Sequence, residues 1–443
     1  MRKIPTFGLG TMVSIAFVIG ACSSEPPQRE AATDDFVSQD AAVSSRASEF
    51  EGLMVHAQRA HEAAGNEEWG TALAEYRIAL EQEPDHPILL FRVARYEAKL
   101  GQEDAAIAHL ERAAELGATG DTDSDDFFDS LRERDDFQAV TRRLVENGRP
   151  HETAEVVITF EDAELWPEGI ATDAATGDIY VGSFGRHKVV RIPPSGEVED
   201  FGTTSEDDLQ AVVGIWVDSE RRELWAATGD QPTPGAPPVP GEVVRYSIDS
   251  GALAARYPGP DDGKPQLIND VTVGPDGTAY VTESLGGRIF RVPPDGDALE
   301  LFKSFPLLAF INGVAISDDG SMLYFAHIEG LSAIDLATGS TMRVTATDGS
   351  VLGMGDGLSW AGDGLVIVQN QPQLNFRIVH AALDEMGSRV TELSVLPSGL
   401  PAGLIPYTSA VLDQTAYIVA AAEFGLMEGD EVPPAPVVVK MSV

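Results

Sequence analysis

One kind of segment recurs through the C-terminal two-thirds of the chain, and four of its copies begin with an oxygen-bearing side chain. Glu168–Ala171, Asn269–Thr272, Asn312–Ala315 and Asp356–Ser359 share this form. An Asp/Gly turn follows, then an apolar run: Asp178–Val181, Thr278–Val281, Met322–Phe325 and Gly364–Ile367. Two further segments keep the phase without the leading oxygen. Val213–Trp216 leads to Glu223–Ala226, and Pro406–Ser409 leads to Thr415–Val419. The aligned positions 169, 214, 270, 313 and 357 are 45, 56, 43 and 44 residues apart. A repeat of ~40–50 residues built from short strands and turns predicts strands set radially about one axis.

The turns agree. Pro275–Gly277, Asp318–Gly320 and Gly362–Gly364 are hairpin signals between strand-like runs. Third strands read as Lys188–Ile192, Glu242–Tyr246 and Arg288–Val292, the first and last followed by turns at Pro194–Gly196 and Pro294–Gly296. The expected fold is therefore a six-bladed β-propeller from residue 150 to 443, and with its helical N-terminal part the chain is mainly β. Radial strands that each start with Glu, Asn, Asn or Asp bring those side chains to one axis. Together they form a hard-oxygen cage of the kind that holds one divalent cation, Ca²⁺ first, with Mg²⁺, Mn²⁺ and Zn²⁺ as alternatives. The competing reading is local: Asn and Asp before Gly are ordinary turn and bulge formers that bond their own backbone.

On these motifs the chain resembles the senescence-marker/gluconolactonase/luciferin-regenerating family of six-bladed propellers. The resemblance covers roughly residues 155–443. It implies Glu168, Asn312 and Asp356 as metal ligands, with Asn269 beside the metal, holding substrate or water. One position departs from the family pattern. Lactonases of the family often carry an Arg two places before the Asn of the Asn-Asp motif, where this chain has Leu267. A sugar-acid substrate is disfavoured by that change.

The N-terminus reads as an export signal. Met1–Lys3 is basic, Gly8–Gly20 is a short apolar stretch, and Ile19–Cys22 fits a bacterial lipobox. The expectation is a signal peptide over 1–21 and lipidation of Cys22, with Ser23 favouring the outer membrane, facing the periplasm or the exterior. Cys22 is the only cysteine, so it makes no internal disulfide. Residues 22–45 are polar, Pro- and Ser-containing and without apolar periodicity, which predicts a disordered tether.

Residues 46–149 carry a helical pattern. Ala60, Ala72, Tyr76 and Ala79 recur 34 residues later as Ala94, Ala106, Leu110 and Ala113. That period and those small and large positions match the tetratricopeptide repeat. A third, degenerate helical pair is expected with Phe127, Phe128, Leu131, Phe137, Val140 and Leu144 as its apolar face. So few repeats would lean on the propeller for stability. The groove between them is a candidate protein-binding surface; a spacer role is the alternative. Asp121, Asp123 and Asp125 imitate the start of a calcium loop, but Asp126 replaces the required Gly and Arg132 the required Glu.

Charge bounds the partners. With 71 acidic against 30 basic residues, the net charge is −41. Nucleic acid is excluded on electrostatic grounds, and an anionic bilayer repels such a chain, so membrane attachment falls to the lipid. No rival catalytic motif is present: Val181–Gly185 lacks the first Gly of a nucleophile elbow, and no His-Glu-x-x-His or phosphate-binding loop occurs. If the chain is an enzyme, it is a metal-dependent hydrolase of lactone or ester-like small molecules, with Asp356 as candidate general base. Propeller geometry adds the loops at Ser183–His187, Asp230–Gly241, Glu283–Gly287 and Asn370–Asn375, and His327, as candidate substrate contacts; of these, Glu283 and His327 are the specific candidates beside Asn269. The alternative is a non-catalytic binding scaffold using the helical groove and propeller face, with a structural ion or none.

The anchor is directly testable. Cys22→Ala should move the protein out of the membrane fraction on cell fractionation; a variant that stays membrane-bound and uncleaved would mark the segment as a transmembrane helix instead.

Overall fold

Asp/Gly turns and runs of β-branched residues fold the larger part of the chain into antiparallel meanders. The structure is a computed structural model that describes residues 55–443 apart from 121, 124, 149–152, 232–236, 306–309, 351, 354, 371–375 and 423–432. The leader, Cys22, the tether and parts of the Asp230–Gly241 and Asn370–Asn375 loops lie outside the described residues.

Four sheets have four strands and one has eight. The eight-stranded sheet is two four-stranded meanders joined edge to edge, where Thr341–Ala346 pairs in parallel with Arg389–Val395. Each meander is numbered here as a unit, in chain order. The first strands of the units are Pro167–Thr172, Val212–Asp218, Ile268–Val273, Val314–Ile316, Gly355–Ala361 and Ile405–Leu412. Each first strand contacts the first strands of the units before and after it, and the sixth returns to the first. The arrangement is therefore a ring, propeller-like, with the first strands innermost. The ring is closed by the chain ends: Glu155–Thr159 pairs antiparallel with the C-terminal strand Val437–Ser442, as the outer strand of unit six.

Four of the second strands are wholly buried, Ile179–Ser183, Ala279–Glu283, Met322–His327 and Gly364–Gln369, and the other two nearly so. Strands covered on both faces need continuous apolar runs, and these have them. The core is not central. It lies between neighbouring units, in clusters such as Tyr180, Val189, Val212 and Leu224 for units one and two, or Val366, Ile378, Ile418 and Val439 for units five and six.

The helical part comprises α1 (residues 55–65), α2 (Trp69–Gln82), α3 (Pro87–Lys99), α4 (Glu103–Glu115) and α5 (Asp135–Asn147). His86 caps α3 by accepting from the Leu89 amide at 3.2 Å, and Pro87 occupies the first helical position, where its missing N–H is not needed. Ala60, Ala72, Tyr76, Ala79, Ala94, Ala106, Leu110 and Ala113 are all buried. Small side chains at these places let consecutive helices pack closely, with Tyr76 and Leu110 filling the space between them.

The expected third helical pair is only half there. Its first member is a short 3-10 stretch, Asp126–Leu131, and α5 is the second. Phe128, Leu131, Phe137, Val140 and Leu144 are buried as expected, and Phe127 is partly so. The acidic run explains the short first member. The Asp125 carboxylate accepts from the Phe127 amide at 3.0 Å and pairs with Arg95 at 2.6 Å, which holds the chain in a turn.

The helices and the ring share a core. One cluster joins Leu73, Tyr76, Leu89 and Tyr96 to Ile289, Ile311, Val314 and Phe325. Polar links add to it: His86 Nε2 donates to the Glu329 carbonyl at 2.7 Å, and Glu83 pairs with Arg343 at 2.5 Å. The Arg377 guanidinium donates to the Gly117 carbonyl at 3.4 Å. Glu329 lies just past the second strand of unit four, at the end of the ring where Asn312 stands. The helical layer thus packs on the face from which the recurring motifs enter the channel.

Leu110 belongs to a cluster confined to the helices, and Leu89 to the shared one. Leu110→Ala and Leu89→Ala should each lower stability by ~2–5 kcal/mol. Far-ultraviolet dichroism and tryptophan fluorescence should melt together in the Leu89 variant; two separated transitions would show that the helices and the ring unfold independently.

Candidate metal centre

The motif residues reach the channel through a repeated irregularity. Ladder register shifts at the same place in five first strands: between Pro167 and Ile170, Val212 and Gly214, Ile268 and Val271, Gly355 and Leu358, and Pro406 and Ser409. The fourth first strand begins at Val314, immediately after Asn312 and Gly313. A bulge interrupts strict in-out alternation and re-aims a side chain. Here it aims Glu168, Asn269, Asp270, Asp356 and Thr408 at the axis.

Glycine follows the ligand-bearing residue because neighbouring bulges touch. A Cβ on Gly169 would lie 2.7 Å from the Val213 carbonyl oxygen, and one on Gly214 would lie 2.5 Å from Asp270 Oδ1. Gly313 and Gly357 abut the bulges of units five and six in the same way. The Gly313 amide also donates to the Asp356 carbonyl at 2.8 Å.

The result is a cavity of about 10 Å³, lined by Glu168, Asn269, Asp270, Asn312, Asp356 and Thr408 among others. That is room for one water-sized sphere. Asn312 Nδ2 donates to Asp356 Oδ1 at 2.5 Å, and Asn370 Nδ2 to Asp356 Oδ2 at 2.7 Å. Asn269 Nδ2 donates to Ser284 Oγ at 2.9 Å, and that hydroxyl donates to the Ile311 carbonyl at 2.6 Å. Asp270 accepts from the amides of Val271 at 2.8 Å and Val314 at 3.0 Å, tying units three and four together.

Among the described residues no Lys, Arg or His lines this cavity. Burial is the largest influence on all three carboxyls, since a charge is expensive away from water. Burial, with the charges of Asp356 and Asp270 nearby, pushes the Glu168 carboxyl up to about 8. Asp270 rises to about 7, burial outweighing its two backbone donors. Asp356 rises to about 6, held down by the Asn370 and Asn312 amides.

These residues fit a hard cation. Among the described residues no donor reaches the Glu168 carboxylate, and the donors of Asn269 and Asn312 are engaged elsewhere, leaving their amide oxygens free to ligate. The cavity collects acceptors and lacks a positive charge. Among the described residues no three His, Cys, Asp or Glu side chains suffice for an ion by themselves, so the amide oxygens are needed to complete the set.

The structure therefore brings Glu168, Asn269, Asn312 and Asp356 together. It does not bring Glu283 or His327 to the cavity, a correction to their expected role. Glu283 is fully buried and accepts from the amides of Leu267, Leu285 and Gly286 and from Arg288 Nε at 2.8 Å. It holds its own loop in shape. His327 is fully buried, with Nε2 3.1 Å from Ser332 Oγ and Nδ1 3.6 Å from Glu329. Leu267 is buried too, so no polar group takes the place of the Arg discussed above. Sequence reasoning missed Asp270 and Thr408, and named Asn370 only as part of a candidate substrate loop. Asp270 was the findable one, since it stands where the other motifs carry Gly.

No protein-family model matches the chain, and no curated protein matches it. Solved structures do resemble it. A PQQ-bound aldose sugar dehydrogenase from Streptomyces coelicolor is 15% identical over 66% of this chain and 97% of its own, with a TM-score of 0.48. A gluconolactonase from Xanthomonas campestris is 17% identical over 65% of this chain and 88% of its own, with a TM-score of 0.43. The calcium-binding protein regucalcin from Agrobacterium tumefaciens is 13% identical over 66% and 95%, with a TM-score of 0.46. Likeness at this level assigns no activity.

The raised carboxyls fix a pH dependence. Their unfolded values lie near ~4, so between that pH and about 6 to 8 the native state binds more protons than the unfolded state. Stability in chelator should therefore be highest at mildly acidic pH and fall as pH rises through 6 to 8. Added Ca²⁺ should restore it, increasingly so at higher pH. Thermal denaturation from pH 5 to 9, with chelator or Ca²⁺, checks this; a Tm that rises with pH in chelator would contradict it.

Proposed function

We propose that this chain is a lipid-anchored envelope protein in which a tetratricopeptide-like domain, residues 46–149, precedes a six-bladed propeller, residues 150–443. The propeller binds one divalent cation, Ca²⁺ before Mg²⁺, Mn²⁺ or Zn²⁺, through Glu168, Asn312 and Asp356, with Asn269 and Asp270 beside it. It acts as a hydrolase of small lactones or esters. One observation carries this reading: three carboxylates and two amide side chains converge on an ion-sized cavity that holds no positive charge.

A bound divalent cation would supply Lewis acidity toward a carbonyl oxygen. Asp356 is the base. Two amide donors fix its carboxylate, which accepts a proton from water. Asn269, braced by Ser284, orients substrate or water at the rim.

A second reading keeps the ion as structural and makes the protein a binding scaffold. It is favoured by the size of the cage cavity, about 10 Å³, and by the helical layer packed on the same face.

Metal analysis of the purified protein, with a lactone and ester panel assayed with and without chelator, separates the readings. Asp356→Asn should weaken cation affinity about tenfold or more, because carboxylate charge dominates binding of hard cations, and should abolish turnover. Asn269→Ala should spare the cation and lower turnover. Cation binding that stabilises the fold without turnover on any substrate supports the scaffold; absence of binding at millimolar Ca²⁺ removes both readings.

A further inference from the structure

The channel contains a second, larger cavity of about 210 Å³, at the end away from the helical layer. Its wall is formed by the C-terminal ends of the first strands and the turns after them, including Trp216, Ser219, Trp360, Ser409 and Leu412. Asp270 lines both cavities and stands between them.

The chemistry of this wall is restrictive. Among the described residues the wall of the larger cavity carries one acid, Asp270, and no Lys, Arg or His; Glu168 and Asp356 line the cage only. Two of the wall hydroxyls are engaged: Ser359 Oγ donates to the Ser409 carbonyl at 2.6 Å, and Ser219 Oγ accepts from the Ala174 amide at 2.9 Å. Trp360 stacks on Tyr324 with ring centroids 5.8 Å apart, and its indole Nε1–H is buried without an acceptor among the described residues. The wall thus offers an occupant indole surface, the Thr408 hydroxyl and the Asp270 side chain at the inner end.

We propose that this cavity is a binding site for a small organic cation. The cation lies toward Asp270 and the indoles, where aromatic faces attract positive charge. The cavity is smaller than the ~300–1,000 Å³ of drug-sized pockets, which restricts the occupant to small amines and quaternary ammonium compounds. Anionic ligands are disfavoured, because Asp270 lines the cavity and no cationic side chain among the described residues does. The site does not depend on catalysis at the cage.

The test is calorimetric titration of the full chain with choline, ethanolamine and tyramine, each in chelator and in Ca²⁺. Choline is paired with its uncharged carbon isostere 3,3-dimethylbutan-1-ol and with the anion 3,3-dimethylbutanoate. Saturable binding of at least one cation is expected. Choline, if it is that cation, should bind about tenfold or more tighter than its isostere, and the anion should not bind. Trp216→Ala should weaken cation binding about tenfold while leaving Ca²⁺ titration of the cage unchanged. Asp270→Asn should weaken it too, but its two backbone acceptor contacts make Trp216→Ala the safer variant for folding. No saturable binding by any of the three cations, equal binding of choline and its isostere, or binding unaffected by Trp216→Ala would overturn the proposal. None of those results bears on whether the cage holds a metal, which the Ca²⁺ titration reads separately.

Discussion

The close approach of neighbouring first strands is the constraint on which the rest of this structure depends. Six strands can converge on one axis only if their backbones nearly touch there. Gly169, Gly214, Gly313 and Gly357 provide that approach, each set against the bulge of the next unit. Where unit three has Asp270 instead, the side chain becomes part of the contact and accepts from the Val314 amide. The geometry that closes the ring is thus the same geometry that gathers the carboxylates. Their raised pKa values follow from that closeness and from burial, not from any separate device.

The two ends of the channel are unequal. At one end the helical layer shares a core with units three and four and is pinned through His86, Glu83 and Arg377. At the other end the channel widens between Trp216 and Trp360. Asp270 is exposed to both compartments, so charge in one is felt in the other. A buried carboxylate in such a position is stable only when protonated or when a cation lies near. This coupling is why cation binding and proton binding at the axis are one problem.

Much of the ring was legible in the chain. A period of ~44 residues, Asp/Gly turns and apolar second strands locate every first, second and third strand named from the sequence, because hairpin chemistry and strand burial are local properties. Glu168, Asn312 and Asp356 were legible as a set because each precedes Gly in the same phase. The 3-10 stretch at Asp126–Leu131 was not legible as such. Its apolar spacing fits a helix, and the competing Asp125 side-chain bond to the backbone is decided by geometry at a single residue. Glu283 and His327 looked like site residues because loop position is readable while side-chain direction is not. Both turned inward to satisfy buried donors and neighbours in their own unit.

The sequence by itself determined the repeat, the turns, the first and second strands of each unit and the oxygen-bearing residues that open four of the units. These depend on neighbours within a few positions along the chain. Only the tertiary structure decided which of those residues share a cavity, that Asp270 and Asn370 join them, and that the helices pack on the same end of the ring. Those facts depend on bulges that break strand alternation and on contacts between segments hundreds of residues apart, such as His86 with Glu329. A residue's direction after a bulge is set by what it meets across the channel, and no local pattern encodes that meeting.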